Sequence, residues 1–253
     1  MRVISFGTSG SDVRAWQTFL RGRGYAVLSD GLFGEDTKHA TVEFQVGQNL
    51  NPDGIVGRLT IAAAIRLGFD PMDQQPDYPP APGFDPLVSA EARHGLFGRF
   101  GYELAPTADN PEGIRVLGDW EKRNIALFPL PQLKGIRGSG QKGNVRFHVL
   151  ARRQLEELWA AWEREGLLRH VLTWGGAYMP RFVRGSRTVL SNHAFGTAFD
   201  INMEWNRLGS APAERGQKGC VFDLVALAHE HGFYWGGHFT RKDGMHFEIA
   251  RLA

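Results

Sequence analysis

The sequence contains a single cysteine, Cys220, so an internal disulfide is excluded. The chain can therefore fold in a reducing compartment. Cys220 precedes the apolar pair Val221-Phe222, a context that favours a structural thiol over a nucleophile. Runs of basic residues and aromatic-basic platforms are also missing, which argues against a nucleic-acid partner.

Long hydrophobic runs are equally scarce. No segment is apolar over the length needed to span a bilayer, so we expect no membrane insertion. The N-terminal stretch, Met1-Arg2-Val3-Ile4, lacks an apolar core of signal-peptide length, so we expect no export route. The net charge of +2 is a small positive excess, which suits an anionic cell-wall polymer but is weak evidence alone.

An internal repeat marks a first domain. The pattern D-G-x-x-G-x-x-T occurs at Asp30–Thr37 and again at Asp53–Thr60. Each copy predicts a tight turn, where glycine supplies a positive φ, followed by the start of a helix. Apolar periodicity predicts three helices, over about 11–21, 35–46 and 58–67.

This first segment resembles the small three-helix peptidoglycan-binding domain. The resemblance rests on both turn motifs together with Gly10, Trp16-Gln17 and Phe44-Gln45. It implies that bacterial peptidoglycan is the partner of residues 1–69, without fixing which side chains contact the glycan. The same glycines and apolar positions would also serve any small helical bundle.

A proline-rich stretch follows. Six prolines lie between Asp70 and Pro86, with little apolar periodicity, which predicts an extended, semi-rigid spacer. We therefore predict a peptidoglycan-binding domain over 1–69, a linker over 70–87 and a second domain over 88–253.

The second domain has a mixed pattern. Apolar residues at helical spacing predict amphipathic helices over about 151–165 and 220–231. Short strands and loops carry the remaining motifs, which favours an α+β fold with a small antiparallel sheet. The sequence therefore predicts a multi-domain chain, with an all-α bundle followed by an α+β domain.

Two separated motifs near the C-terminus suggest a metal site. The first is S-x-H-x-x-G-x-A-x-D, from Ser191 to Asp200, and the second is D-x-x-H-F-E, from Asp243 to Glu248. A hydrolytic zinc site needs three protein ligands, an open position and a nearby base. His193, Asp200 and His246 are suitable ligands, and a divalent ion other than zinc would also accept this set. A histidine six or seven residues from an aspartate is by itself a weak signal.

The flanking residues strengthen this interpretation. The two motifs, with Trp235-Gly236-Gly237 between them, resemble the zinc D-alanyl-D-alanine carboxypeptidase and L-alanyl-D-glutamate endopeptidase family of the LAS group. The likeness extends from about Phe97 to the C-terminus and includes the segment G-G-A-Y-M-P-R that ends at Arg181. The resemblance implies a small α+β fold and one Zn²⁺ per chain.

The resemblance also implies roles for individual residues. His193, Asp200 and His246 carry over as zinc ligands, Asp243 as general base and Arg181 as the group that stabilises the oxyanion. Other side chains are candidates for substrate or ligand contacts; these are Ser191, Tyr178, Trp235, His238 and Glu248. Arg184 and Arg187 are alternatives to Arg181 as the residue that stabilises the oxyanion. Glu248 lies two residues after His246, so on a strand it shares the face of His246 and is placed to orient its ring.

Taken together, the sequence predicts a monomeric peptidoglycan hydrolase. We expect a phage-type endolysin, a bacteriolytic zinc metallopeptidase that accumulates in the host cytoplasm and reaches the wall after membrane breach. The L-Ala–D-Glu bond of the stem peptide is the first candidate and D-Ala–D-Ala the second. A non-catalytic wall-binding protein and a metal-bearing interaction domain like the hedgehog relatives remain as alternatives.

Overall fold

The computed structural model describes residues 2–69 and 78–252, so residues 70–77 of the predicted spacer lie outside the described part. The chain divides into two compact units. The first comprises Met1–Pro79 with Ala213–Phe222, and the second comprises Pro80–Pro212 with Asp223–Ala253. No described helix has the length and apolar character needed to cross a membrane.

The first unit is helical, as predicted. Its helices are α1 (Ser11–Gly22), α2 (Glu35–Gly47) and α3 (Arg58–Arg66). Trp16 is fully buried at the centre of the core, and its ring lies 5.2 Å from that of Phe44 in an edge-on arrangement. The indole nitrogen donates to Thr41 Oγ1 at 2.9 Å, so burial leaves no polar atom of this side chain unpaired.

The sequence repeat has a structural counterpart in two buried glutamines. Gln17 donates through Nε2 to Asp30 Oδ1 and accepts at Oε1 from Gly31 N. Gln45 makes the same pair of contacts with Asp53 and Gly54. Gly31 and Gly54 have φ of 78° and 71°, the left-handed conformation that the turn requires and glycine adopts without strain.

The ten-residue segment 213–222 belongs to the first unit although it lies far along the sequence. Gly216 has φ of 82°, and a Cβ there would lie 2.6 Å from the carbonyl oxygen of Gly31. Backbone therefore packs directly on the first repeat turn, which neither the repeat nor the helix pattern predicts.

The second unit is α+β, again as predicted. Its main helices are α4 (Ala90–Phe97), α5 (Trp120–Asn124), α6 (Arg152–Arg164), α7 (Asn192–Phe195) and α8 (Phe222–Glu230). Two hairpins pair β1 (Tyr102–Leu104) with β2 (Ile114–Val116), and β3 (Ile125–Pro129) with β4 (Asn144–His148). Four further strands are β5 (Trp174–Gly176), β6 (Ala198–Ile201), β7 (Phe233–Trp235) and β8 (His246–Ile249). They form an antiparallel sheet in the order β5-β6-β8-β7.

Strand alternation separates the core from the functional residues. Phe199 on β6 and Phe247 on β8 stack with ring centroids 5.4 Å apart, and Trp162 of α6 packs against both. Because successive side chains point to opposite faces of a strand, Asp200 and His246 lie on the other face. They are direct partners in the β6–β8 register, so the two side chains lie side by side.

Residues 80–87 of the predicted spacer cluster with the second unit. The Phe84 ring lies 6.4 Å from the rings of both His229 and Tyr234. The guanidinium of Arg251 stacks 4.9 Å from the centre of the same ring. This segment therefore packs on the second unit, which the proline content does not predict.

Candidate metal centre

Three buried side chains converge on one point. Oδ1 of Asp200 lies 3.2 Å from Nε2 of His193 and 3.0 Å from Nδ1 of His246. The two histidine nitrogens are 3.2 Å apart. Among the described residues this is the one group of three or more His, Cys, Asp or Glu side chains with the closeness a shared ion requires. Its two imidazole nitrogens and one carboxylate oxygen suit Zn²⁺ with an open fourth position.

The S-N-H-A-F-G segment brings His193 to this point. Ser191 caps the short helix α7, its Oγ accepting from His193 N. Gly196 ends the helix with φ of 65°, and β6 begins two residues later. This sharp change of direction sets His193 beside Asp200, so the glycine in the motif has a conformational reason.

A backbone carbonyl fixes the orientation of the His193 ring. Nδ1 of His193 lies 2.6 Å from the oxygen of Ala177, just beyond β5. A carbonyl can only accept, so Nδ1 carries the proton and donates. Nε2 is thereby turned towards Asp200 and His246, where its lone pair would be available to a bound metal.

A carboxylate does the same for His246. Nε2 of His246 lies 2.9 Å from Oε2 of Glu248, which is buried and also accepts from Asn192 Nδ2. Nδ1 of His246 is thereby turned towards Asp200 and His193. Glu248 contacts a candidate ligand without joining the converging group itself.

The charges within the group stabilise one another. For Asp200, burial opposes ionisation, but the two histidines outweigh it and hold the pKa well below its usual range. For His246, burial is likewise outweighed by the hydrogen bonds to Asp200 and Glu248, which raise the pKa to about 10. A metal at this point would replace the proton on Nδ1, so binding would release it.

Asp243 lies in the loop that precedes β8. Its backbone is fixed because its N–H donates to Gly236 O at 3.0 Å and its carbonyl accepts from His246 N at 3.0 Å. A Cβ on Gly236 would lie 2.5 Å from that carbonyl oxygen, so the glycine permits this close approach. Oδ1 of Asp243 is buried with no hydrogen-bond partner among the described residues, and burial raises the pKa of the carboxyl to about 6. A carboxylate with this pKa is suited to accept a proton near neutral pH.

The group opens into a cavity of about 450 Å³. Asp200, Asp243 and His246 contribute to its wall, and the remainder combines arginines, apolar side chains and three further polar residues, Ser191, Asn192 and Glu248. Its described lining consists of Pro86, Val88, Arg93, Arg181, Val183, Arg184, Ser191, Asn192, Asp200, Met203, Leu208, Phe239, Arg241, Asp243, Met245, His246 and Glu248.

The three arginines weighed for the oxyanion differ in their partners. Arg184 forms an ion pair with Glu112 at 2.7 Å, and the exposed Arg187 is not part of the described lining. Arg181 lines the cavity, donates to Phe182 O at 3.1 Å and has a buried Nε without a partner among the described residues. Burial lowers its pKa, while Asp200 and Asp243 act in the opposite direction. Arg181 therefore keeps the most hydrogen-bonding capacity for a substrate.

Three of the candidates for substrate or ligand contacts do not line the cavity. Tyr178 donates to Glu121 at 3.0 Å, Trp235 donates through Nε1 to Gly244 O at 2.9 Å, and His238 packs against Trp235 with ring centroids 5.2 Å apart. None of them belongs to the described cavity lining. Trp235 instead fixes the loop that carries Asp243, while Ser191 and Glu248 do line the cavity.

Two residues of the site escaped the sequence analysis. Asn192 holds Glu248, and its place between Ser191 and His193 in the motif was a usable signal. Arg93 lies on α4, a hundred residues before His193, and no local pattern marks it. Only the tertiary fold brings it to the cavity.

Comparison with known families yields two matches. A family model described as D-alanyl-D-alanine carboxypeptidase matches residues 184–249, which include all three converging side chains and Asp243. A model described as a putative peptidoglycan binding domain matches residues 9–64. Both resemblances are confirmed. The chain therefore combines a likeness to a wall-binding domain with a likeness to a peptidase domain.

Solved structures give partial likenesses. A peptidoglycan-binding protein from Clostridioides difficile is 42% identical over 26% of this chain and 42% of its own, with a TM-score of 0.26. The SleB N-terminal domain is 36% identical over 26% of this chain and 92% of its own, with a TM-score of 0.26. A fused Zn-dependent amidase/peptidase/peptidoglycan-binding protein from Clostridium acetobutylicum is 40% identical over 25% of this chain and 28% of its own, with a TM-score of 0.24. This chain thus matches about two fifths of the first of these proteins.

Proposed function

We propose that this protein is a zinc metallopeptidase that cleaves the stem peptide of bacterial peptidoglycan, at the L-Ala–D-Glu bond. The observation that carries the proposal is the convergence of His193, Asp200 and His246 at a cavity that also holds the unpaired carboxylate of Asp243. The peptidoglycan-binding match supports the substrate class.

The donor set fits Zn²⁺. Each histidine offers one nitrogen inward and has its other nitrogen held by an acceptor, Ala177 O for His193 and Glu248 for His246. Such outer contacts are what ligating histidines in zinc sites make. When bound, the ion would polarise the scissile carbonyl and lower the pKa of water.

The residues of the chain then divide the remaining work. Asp243 accepts the proton of the attacking water and passes it to the leaving amine. Arg181 stabilises the negative charge that develops on the carbonyl oxygen, in a buried setting where such a charge interaction is strong. Glu248 and the carbonyl of Ala177 hold the two histidine rings in position.

One observation favours a second candidate for the peptide bond that is cleaved. The family model that matches residues 184–249 is described as D-alanyl-D-alanine carboxypeptidase, so the terminal D-Ala–D-Ala bond is the second candidate. We further propose that the protein acts as a phage endolysin on the wall of the host after membrane breach. That role follows the combination of a wall-binding domain with a lytic peptidase.

Mass spectrometry of fragments released from purified sacculi tests the proposal. New L-Ala C-termini paired with new D-Glu N-termini are expected if the first bond is cut. Loss of a single terminal D-Ala identifies the second candidate instead. The Asp243→Asn variant and metal-free protein serve as controls and should release neither product. Release of glycan fragments without peptide cleavage would contradict the proposal.

A further inference from the structure

Arg93 is a buried arginine with few partners. Only 6% of its surface is exposed. Its Nη1 donates to the carbonyl of Leu190 at 3.0 Å, and its buried Nε has no hydrogen-bond partner among the described residues. Arg93 forms no ion pair with any described residue. Its guanidinium has five N–H donors, so most of its hydrogen-bonding capacity is not used by these contacts. Burying a charge with so little compensation is costly, which calls for a partner that the protein itself does not supply.

The position of Arg93 is that of a substrate-binding group. It lines the cavity together with Ser191, Asn192 and Glu248. Its bond to Leu190 ties it to the residue before Ser191, and so to the segment that carries His193. Arg93, whose Nε has no partner among the described residues, therefore lines the same cavity as Asp200 and His246 of the converging group.

The other cavity arginines are less suited to bind an anion. Arg184 is already paired with Glu112. Arg241 is exposed and donates to the carbonyl of Arg184 at 3.0 Å. Arg181 is the residue we assign to the carbonyl oxygen, so Arg93 is left for a second negative group of the substrate.

One negative group is common to both candidate substrates. In L-Ala–D-Glu the stem peptide continues through the side-chain carboxyl of D-Glu, so the α-carboxylate beside the scissile nitrogen is free. In a terminal D-Ala–D-Ala the last residue also has a free α-carboxylate beside the scissile nitrogen. Either way, the residue whose amine leaves carries a carboxylate two bonds from that nitrogen.

We propose that Arg93 binds this α-carboxylate and so selects substrates in which it is free. The proposal rests on the proposed peptidase function. A planar guanidinium pairs with a carboxylate through parallel N–H···O bonds, and a buried setting strengthens them. A substrate with the α-carboxyl amidated loses the charge and one acceptor, so the enzyme discriminates between free and amidated walls.

Glu248 offers an alternative use for the charge of Arg93. Its carboxylate acts favourably on Arg93 through space, so the arginine could serve only to balance it. Oε2 of Glu248 is, however, already shared by Asn192 and His246. A balancing role predicts equal effects of an Arg93 substitution on all substrates, whereas carboxylate binding predicts a selective effect.

The test uses two synthetic stem peptides that differ only in the α-carboxyl of the leaving residue, free in one and carboxamide in the other. The full-length enzyme should prefer the free carboxylate by roughly 10- to 100-fold in kcat/KM, the range expected for hydrogen bonds to a charged group. In Arg93→Met the preference should fall to near unity, mainly through loss of activity on the carboxylate peptide. Arg93→Lys, which keeps the charge without the fork, should lie between them.

The matched control is Arg99→Met, since Arg99 is exposed, lies two residues after the end of α4 and pairs with Glu91 of that helix. It should keep the wild-type preference. Metal content is measured for every variant, and Arg93→Lys decides the matter if Arg93→Met does not fold. Equal cleavage of both peptides by the wild type, or an equal loss on both peptides in the Arg93 variants, overturns the role of Arg93. Cleavage of neither peptide by the wild type contradicts the proposed function itself, and this role with it.

Discussion

Nε2 of His246 lies 2.9 Å from Oε2 of Glu248, two residues further along the same strand. Because side chains two apart share a face, β8 supplies both a candidate ligand and the group that orients it. Asn192, next to His193, donates to the same oxygen. One carboxylate thus couples the two segments that carry the candidate ligands.

Glu248→Gln should weaken metal binding while keeping the fold. Loss of an outer-shell carboxylate commonly costs about 10- to 100-fold in metal affinity. Competition with a chromophoric chelator measures the change, and Glu230→Gln, at an exposed position on α8, is the control. An affinity within about threefold of the wild type would assign Glu248 a purely packing role.

His193→Ala should abolish stoichiometric metal binding. Protein purified without added metal should contain about one equivalent of zinc per chain, as a three-ligand catalytic site implies. Elemental analysis of the variant should show well below that value, and activity should disappear with the metal. His39→Ala removes an exposed histidine of the first unit and should change neither property. A variant at position 193 that retains both metal and activity would refute the ligand assignment.

Asp243→Asn should keep the metal and lose turnover. Asn resembles Asp in shape but cannot accept a proton, and general base catalysis typically contributes roughly 10²–10⁴-fold. In the wild type, kcat/KM should rise with pH as the Asp243 carboxyl ionises, because only the carboxylate form accepts a proton. Single-turnover kinetics on a soluble stem peptide give both results. If activity stays within about threefold of the wild type, the base lies elsewhere, and Glu248 is the next residue to test.

The same substitution should stabilise the metal-free protein near neutral pH. Burial raises the folded-state pKa of Asp243 to about 6, above the value of about 4 that an aspartate has in an unfolded chain. Between about pH 4 and pH 6 the carboxyl ionises more readily in the unfolded chain than in the folded one, so the free energy of unfolding falls as pH rises. Above about pH 6 the whole of this destabilisation is present. Asp243→Asn removes this cost, which is of order 1–3 kcal/mol.

Thermal unfolding of both proteins without metal, at about pH 7.5 and pH 4, measures the difference. The variant should unfold at a higher temperature at the upper pH, and the gap should close at the lower one. A constant gap would show that the effect does not come from ionisation.

The catalytic and wall-binding activities should be separable. A fragment of residues 80–253 contains all the candidate catalytic residues and should hydrolyse a soluble stem peptide at close to the full-length rate. On sacculi at low enzyme concentration it should be slower, because linked binding commonly gains an order of magnitude or more. Residues 1–69 alone should co-sediment with sacculi and release no fragments.

Two structural details sharpen this experiment. A fragment that starts at Val88 loses Phe84 and the cavity residue Pro86, so it should unfold at a lower temperature than one that starts at Pro80. Separation also removes segment 213–222 from the first unit. Equal clearing of sacculi by the full-length protein and the fragment, across a dilution series, would contradict the division of labour.

Local sequence was enough to predict the helices of the first unit. The D-G-x-x-G-x-x-T repeat and the apolar periodicity predicted α1, α2 and α3, because turn chemistry and helix amphipathicity act over a few residues. The two motifs around His193 and His246 predicted the converging group, because each motif holds residue types that serve as metal ligands at a short, fixed spacing. The family matches confirm the two domain resemblances.

Tertiary structure decided the rest. The contacts that build the site join residues 46 or more apart in the sequence. They are the pairing of Asp200 with His246, the hydrogen bond from Asn192 to Glu248, and the cavity wall that Arg93 shares with His246. Such contacts depend on how strands pair and helices pack, and no short-range pattern encodes them. The proline content predicted an extended, semi-rigid spacer. Phe84 nevertheless packs on His229 and Tyr234, because burial stabilises an aromatic ring whatever its neighbours in sequence. The sequence by itself determined which chemical groups are available, and the packing of distant segments determined which of them share a cavity.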